Sequence, residues 1–138
     1  MQESPELAAL TQRMYAAQAA GEVEWLAGLV TSSDAALTIG SDAAEWWEGG
    51  ERIRELWRAQ IAAGLGDAQA ELLRVRAFEE GDVGWVADEA RLEMPGGSSV
   101  TMRTTTVFHR EDGEWRLVHG HSSVGVPNEE SVGMSLPT

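Results

Sequence analysis

Hydrophobic positions change their spacing once along the chain, and the change separates a helical first half from a strand-rich second half. Before Asp67, apolar residues recur every three or four positions, which is typical of one face of an α-helix. After Asp67 they alternate with polar residues, as in half-buried strands. Helices followed by a run of strands predict an α+β fold.

Three helices are predicted in the first half of the chain. Ser4 is a good N-cap for the first, Pro5 suits its first position, and Gly21 supplies its end. A shorter second helix is predicted from Glu22 to about Val30. The third runs from Glu51 to about Ala63, where the apolar period is clearest.

Two adjacent tryptophans lie between the second and third helices. A short strand is predicted at 35–39, and the following loop at 43–50 contains Trp46 and Trp47. Because adjacent indoles cannot occupy the same space, we expect one to pack in the core and the other to form a rim over a pocket. Trp57 lies on the apolar stripe of the third helix, which favours the core over a pocket wall.

The second half predicts an antiparallel meander. Three short turns separate four long alternating segments, at 70–79, 83–93, 98–110 and 114–123. A curved antiparallel sheet wrapped around the N-terminal helices would form a cone with an internal pocket. We expect residues 1–138 to form one domain, with about 125–138 as a surface tail.

Composition excludes several classes of function. The chain has 138 residues and no cysteine, which excludes disulfides and thiolate chemistry. All ten basic residues are arginine, so a lysine Schiff base is excluded, and this usage is typical of a GC-rich bacterial genome. A net charge of −13 argues against binding to nucleic acid. The absence of a long apolar run or leader predicts a cytoplasmic protein with no membrane contact.

Four segments of the strand-rich half, taken with the order of elements, carry a resemblance to a known family. They are Gly-Asp-Val-Gly-Trp-Val at 81–86, Arg-Thr-Thr-Thr-Val-Phe at 103–108, Asp-Gly-Glu-Trp-Arg-Leu-Val-His at 112–119 and His-Ser-Ser-Val-Gly-Val-Pro-Asn-Glu-Glu at 121–130. The chain resembles a SnoaL-like domain of the nuclear transport factor 2-like superfamily, in its bacterial branch, from Leu7 to about Val132.

The resemblance implies an α+β cone, a pocket at its open end and a homodimer formed through the sheet. The superfamily contains isomerases, polyketide cyclases, dehydratases, epoxide hydrolases and binding domains without activity, so the resemblance implies no single reaction. Its known enzymes place an aspartate or a histidine in the pocket as general base.

The last predicted strand offers the first candidates for that role. Strict alternation places Trp115, Leu117, His119 and His121 on one face, running from core to pocket. His121 is the leading candidate for a general acid or base, because imidazole titrates near neutral pH. His119 either lines the same pocket or packs deeper in the core. His109, before a turn, is expected at an exposed strand end.

Asp42 is the second acid–base candidate. It follows the short strand and precedes the two tryptophans, and a carboxylate against indoles would have a raised pKa. In Gly-Ser-Asp an aspartate is also a common turn or cap residue. The pair His119 and His121 would need a third ligand, Glu89 or Asp42, to hold a metal, and no motif connects them. We therefore expect neither metal nor cofactor.

Arg103 leaves two alternatives open. If its side of the strand faces inward, it is a buried cation that needs Glu89 or a ligand carboxylate as partner. If it faces outward, it is a sheet-surface charge or a dimer contact.

Three functions remain. The preferred one is binding of a small apolar molecule in a pocket that Trp46, Trp47, Trp57, Arg103, His119 and Glu89 help to form. The second is a cofactor-free isomerase, cyclase or hydrolase that uses His121 or Asp42. The third is a dimerisation module without chemistry, whose cone would be filled.

Overall fold

The first helix begins where the sequence predicts. In the computed structural model, which describes residues 1–137, the Ser4 hydroxyl accepts a hydrogen bond from the Leu7 backbone N–H, and Pro5 opens helix α1, Pro5–Ala19. Helix α2 is Val23–Leu29 and helix α3 is Gly50–Ala62. All three predicted helices are therefore confirmed, with ends within two residues of the expected ones.

Seven strands form one sheet among the described residues. They are β1 Gln2–Glu3, β2 Leu37–Ile39, β3 Trp46–Glu48, β4 Gln69–Glu80, β5 Val83–Glu93, β6 Ser99–Glu111 and β7 Glu114–Val124, in the spatial order β1-β4-β5-β6-β7-β2-β3. The four long strands form the predicted antiparallel meander, and β2 joins β7 in parallel. The α+β prediction is confirmed.

Three elements were not expected from the pattern. Strand β1 pairs with β4, where Gln2 lies opposite Glu79. A 3-10 turn spans Leu65–Asp67, and a short helix α4, Asn128–Val132, lies in the tail. These elements are too short for hydrophobic periodicity to reveal.

The prediction of a loop around the two tryptophans is wrong. Trp46 and Trp47 lie in β3, which pairs antiparallel with β2 and places Trp47 opposite Thr38. A three-residue strand cannot establish a period of two. Its pairing with β2 becomes visible only when both segments are assembled.

Two bulges interrupt the alternation of the long strands. In β4 the register shifts between Leu72 and Arg74, which leaves Leu73 as the extra residue. In β7, Leu117 pairs with Phe108 and His119 with Val107, which leaves Val118 as the extra residue. Each bulge moves the following side chains to the opposite face of the sheet and bends the strand.

The concave face of the sheet packs on the helices. One buried cluster joins the helical residue Leu7 to the sheet residues Ala77, Val86, Phe108, Trp115 and Leu117. A second cluster consists of Val30, Ala36 and Ile53. No helix among residues 1–137 is both long and apolar enough to cross a bilayer.

Candidate functional site

A cavity of about 400 Å³ lies between the concave face of the sheet and the helices. Its walls are mostly apolar, and Trp47, Trp57, Ile61, Met94 and Met102 contribute to them. The hydroxyl-bearing lining residues are Thr11, Tyr15, Thr38, Ser41, Thr104, Thr106 and Ser122. This combination of apolar walls and few polar groups is typical of a small-molecule site.

Two neighbouring rows of the sheet carry several of the polar groups in the cavity. Pairing brings Asp88, Thr104 and Ser122 into one row across β5, β6 and β7. The hydroxyls of Thr104 and Ser122 are 3.2 Å apart. In the next row, Thr106 lies beside Gly120.

Asp88 is the more buried of the two carboxylates that line the cavity. It is 7% exposed, and its Oδ1 accepts a 2.6 Å hydrogen bond from the hydroxyl of Tyr15 on α1. Burial raises the pKa of the Asp88 carboxyl, while the hydrogen bond from Tyr15 acts in the opposite direction. Burial, followed by the charge of Asp88, raises the pKa of the Tyr15 phenol well above its ordinary value. The pair is a proton donor and acceptor held in an apolar space.

Neither member of this pair was predicted from the sequence, although the sequence contains a signal for Asp88. Val86, Asp88, Ala90 and Leu92 share one side of β5, so the carboxylate interrupts the apolar phase of the strand. An acidic residue in that phase is buried once the sheet is covered. Tyr15 has no comparable signal, because it lies beside the apolar stripe of α1.

The structure does not place His121 in the cavity. Its neighbours Gly120 and Ser122 line the cavity, whereas His121 is exposed on the convex face. The expectation that alternation carries both histidines inward fails because Val118 bulges and reverses the side on which the following residues point. The Nδ1–H of His119 donates to the Leu37 carbonyl at 2.9 Å, so that ring is held by the backbone.

Asp42 occupies a turn outside the cavity lining. It is exposed, and its Oδ1 accepts a hydrogen bond from the Ala44 backbone N–H at 2.8 Å. This is the turn role that the sequence left as the alternative to catalysis.

The three tryptophans have different environments. Trp47 and Trp57 are partly buried and line the cavity, and both pack against the cluster around Ile53. Trp46 is 59% exposed, and its indole N–H donates to Glu48. One indole of the adjacent pair thus faces inward and the other outward, and Trp46 does not line the cavity.

Arg103 and Glu89 lie on the convex face. Arg103 is exposed and paired in register with Glu89, but the ion pair of Glu89 is with Arg74, at 3.2 Å. The second of the two alternatives for Arg103, an outward-facing charge, is the one observed. Within residues 1–137, no three histidine, aspartate or glutamate side chains are grouped so that they could hold a metal ion.

Solved structures with the same fold come from several bacteria. An NTF2-like protein of unknown function from Pseudomonas putida KT2440 is 19% identical, with a TM-score of 0.78 over 95% of this chain and 91% of that one. A protein from the NTF2-like family of Streptomyces avermitilis, named as a proposed dehydratase, is 20% identical, with a TM-score of 0.77 over 88% and 94%. Among curated proteins, none matches the chain in sequence.

A third neighbour has a name that refers to assembly. It is a proposed calcium/calmodulin-dependent protein kinase II association domain from Xanthomonas campestris, 22% identical, with a TM-score of 0.69 over 87% of this chain and 86% of that one. At these identities the likeness concerns the fold alone. The model of the SnoaL-like domain family, in contrast, matches residues 7–127 in sequence. The chain therefore belongs to the SnoaL-like domain family.

Proposed function

We propose that the protein binds a small, largely apolar molecule in the cavity between sheet and helices. The observation that carries this proposal is the unfilled space of about 400 Å³ with apolar walls and a few polar groups, since a purely structural module would fill its cone. Trp47 and Trp57 offer indole surfaces to a flat apolar body.

Occlusion of the cavity tests this proposal. Gly120 lies on the cavity wall, where the side chain of Gly120→Leu would project into the space, whereas Gly120→Ala adds one methyl group. A titration with the neutral fluorescent probe phenylnaphthylamine should show binding to the wild type and to Gly120→Ala. Binding to Gly120→Leu should be weaker by at least about tenfold, because the lost apolar contact is worth about 1.4 kcal/mol or more. Equal binding to all three proteins would contradict the proposal.

A second function, cofactor-free proton transfer, is favoured by the pair of Asp88 and Tyr15. A buried carboxylate with a raised pKa can take a proton from a carbon acid near neutral pH. We propose Asp88 for this role in place of His121 and Asp42, because Asp88 lines the cavity and those two residues are not among its described lining residues. The role of Tyr15 would be to hold the carboxylate in position.

Hydrogen–deuterium exchange at carbon tests the second function without a known substrate. A benzo-fused cyclic ketone in deuterated buffer should exchange its α-hydrogens faster with the wild type than without protein, as followed by proton NMR. Asp88→Asn should abolish the acceleration, and His121→Gln should retain it. Binding of the ketone without accelerated exchange would leave binding as the function and contradict catalysis by Asp88.

We also propose a homodimer formed through the convex face of the sheet. This face carries the partly exposed side chains of Trp85 and Val107, and Leu73 is 47% exposed. The Xanthomonas campestris neighbour is named as an association domain, which supports self-assembly as a use of this fold. Light scattering at micromolar concentration should give twice the mass of one chain, and a monomer would contradict the proposal.

A further inference from the structure

The cavity contains carboxylates but no cation. Of the described residues that line it, none is arginine or histidine, and the chain has no lysine. The two charged lining residues are Asp88 and Glu45, and the whole chain has a net charge of −13. A carboxylate or phosphate on a ligand would lose its hydration here and meet only negative charge.

The two carboxylates differ in how many of their oxygens accept hydrogen bonds. Both oxygens of Glu45 accept hydrogen bonds at 3.0 Å, one from the Gln60 side chain and one from the Asp42 backbone N–H. From the residues that the structure describes, Asp88 accepts one side-chain hydrogen bond, from Tyr15 at Oδ1. Among the ion pairs of residues 1–137, none joins Asp88 to a cation.

The second oxygen of Asp88 therefore remains available to a ligand. Oδ2 has no hydrogen-bond partner among the described residues. The polar side-chain atoms among them that are fully enclosed and lack a partner are Thr38 Oγ1 and Trp115 Nε1. Oδ2 is not one of these, so it is not fully enclosed. Asp88 lines the cavity, which is the side from which a ligand could reach this oxygen. An ionised carboxylate only accepts hydrogen bonds, so its complement is an N–H or O–H group.

The proposed binding function is the basis for the next step. We infer that the cavity selects an apolar molecule whose head group donates a hydrogen bond to Asp88 Oδ2, and that it rejects carboxylates. A protonated amine is the best complement, because it also supplies the missing counter-charge. An alcohol offers the same donor without the charge.

Three probes with one skeleton separate these head groups. Naphthylmethylamine, naphthylmethanol and naphthoate carry an ammonium, a hydroxyl and a carboxylate on the same aromatic body. Calorimetric titration of the wild type should rank the amine first, the alcohol second and the carboxylate last. The titration is run at about pH 8, roughly four units above the ordinary pKa of an aspartate, because burial raises the pKa of Asp88. We expect the amine to bind about tenfold more tightly than the alcohol, as for a charge-assisted hydrogen bond.

Asp88→Asn identifies the group responsible. It should lower the affinity for the amine roughly tenfold, to that for the alcohol. It should change the affinity for the alcohol by less than about threefold. Glu89→Gln is the matched control, because it removes the same charge from the next residue on the opposite face of β5. It should leave all three affinities as in the wild type.

The outcomes separate this inference from the function on which it rests. If naphthoate binds the wild type as tightly as the amine, selection of a donor head group is refuted while binding of an apolar molecule stands. The same holds if Asp88→Asn folds, as judged by circular dichroism, and keeps the ranking of the wild type. If none of the three probes binds, the proposed binding function fails as well. If the alcohol binds as tightly as the amine, selection of a hydrogen-bond donor is confirmed. A contribution of the counter-charge to affinity is then refuted.

Discussion

The hydroxyl of Tyr15 donates a 2.6 Å hydrogen bond to Oδ1 of Asp88 and so joins helix α1 to strand β5 in the wall of the cavity. The bond spans 73 positions of sequence and links the two halves that differ in hydrophobic spacing. It couples the protonation of the phenol to that of the carboxyl group.

The phenol of Tyr15 should ionise only at a pH well above its ordinary pKa. Burial is the main cause that raises its pKa, and the negative charge of Asp88 adds to it. Because the pKa is higher in the folded state, its contribution to stability is intact below about pH 10, the unfolded value, and is lost as pH rises further. Tyr15 is the only tyrosine, so phenolate absorbance reports it directly. The signal should appear only together with alkaline unfolding.

Asp88→Asn should lower the pKa of Tyr15 without restoring the ordinary value, since burial remains while the charge is removed. His121→Gln is the control and should leave the titration curve unchanged. A phenolate signal at ordinary alkaline pH in the folded wild type would contradict the burial of Tyr15.

Asp88→Asn should also change how stability depends on pH. Because the pKa of Asp88 is higher in the folded state, protonation of its carboxyl group contributes to the free energy of unfolding. This contribution is complete below about pH 3.9, the pKa of the unfolded state. It is lost as pH rises through the raised pKa of the folded state. Denaturant unfolding should therefore show the variant gaining stability relative to the wild type as pH rises through this window. A difference between the two proteins that does not vary with pH would show that Asp88 ionises normally.

Gly120→Ala should stabilise the protein. The added Cβ would lie 3.6 Å from Thr38 Cγ2, an ordinary contact, and alanine loses less backbone entropy than glycine in a strand. We expect a gain of about 0.5–1 kcal/mol in the free energy of unfolding, measured in urea.

Gly84→Ala is the matched comparison and should destabilise. There the Cβ would overlap Leu7 Cδ1 and lie 3.2 Å from the Phe78 carbonyl oxygen, inside the main core cluster. Overpacking of this kind costs about 1–3 kcal/mol. If the two alanine variants were equally stable, the packing described around these strands would be wrong.

Replacing His121 should leave the cavity unaffected. Because His121 is exposed on the convex face, His121→Ala should change the free energy of unfolding by less than about 0.5 kcal/mol. Its affinity for phenylnaphthylamine should equal that of the wild type in the same fluorescence titration. A loss of affinity would show that His121 contributes to binding and would contradict its placement outside the cavity.

Sequence patterns were sufficient for the elements that depend on local chemistry. Ser4 and Pro5 determine the start of α1, and the glycine-containing turns separate the four long strands. The family resemblance, based on segments of those strands, agrees with the match over residues 7–127. Local caps, turns and alternation were enough to predict the order of helices and strands.

The site was less predictable because it depends on which face each side chain occupies. Counting alternate residues from Trp115 gives the correct face for Leu117 and the wrong one for His121. The local sequence does not indicate that Val118 is the extra residue. Asp88 could have been identified from its place in the apolar phase of β5. Its partner Tyr15 could not, because their contact exists only after the helix has packed on the sheet.

The bulge at Val118 has a consequence for how this fold can change its chemistry. If Val118 paired with Val107 and the bulge were absent, the period of two would continue beyond Leu117. His119 and His121 would then replace Gly120 and Ser122 on the wall of the cavity. A shift of one residue in the pairing of β7, with no change in sequence, would therefore exchange a hydroxyl-bearing wall for one that carries imidazoles.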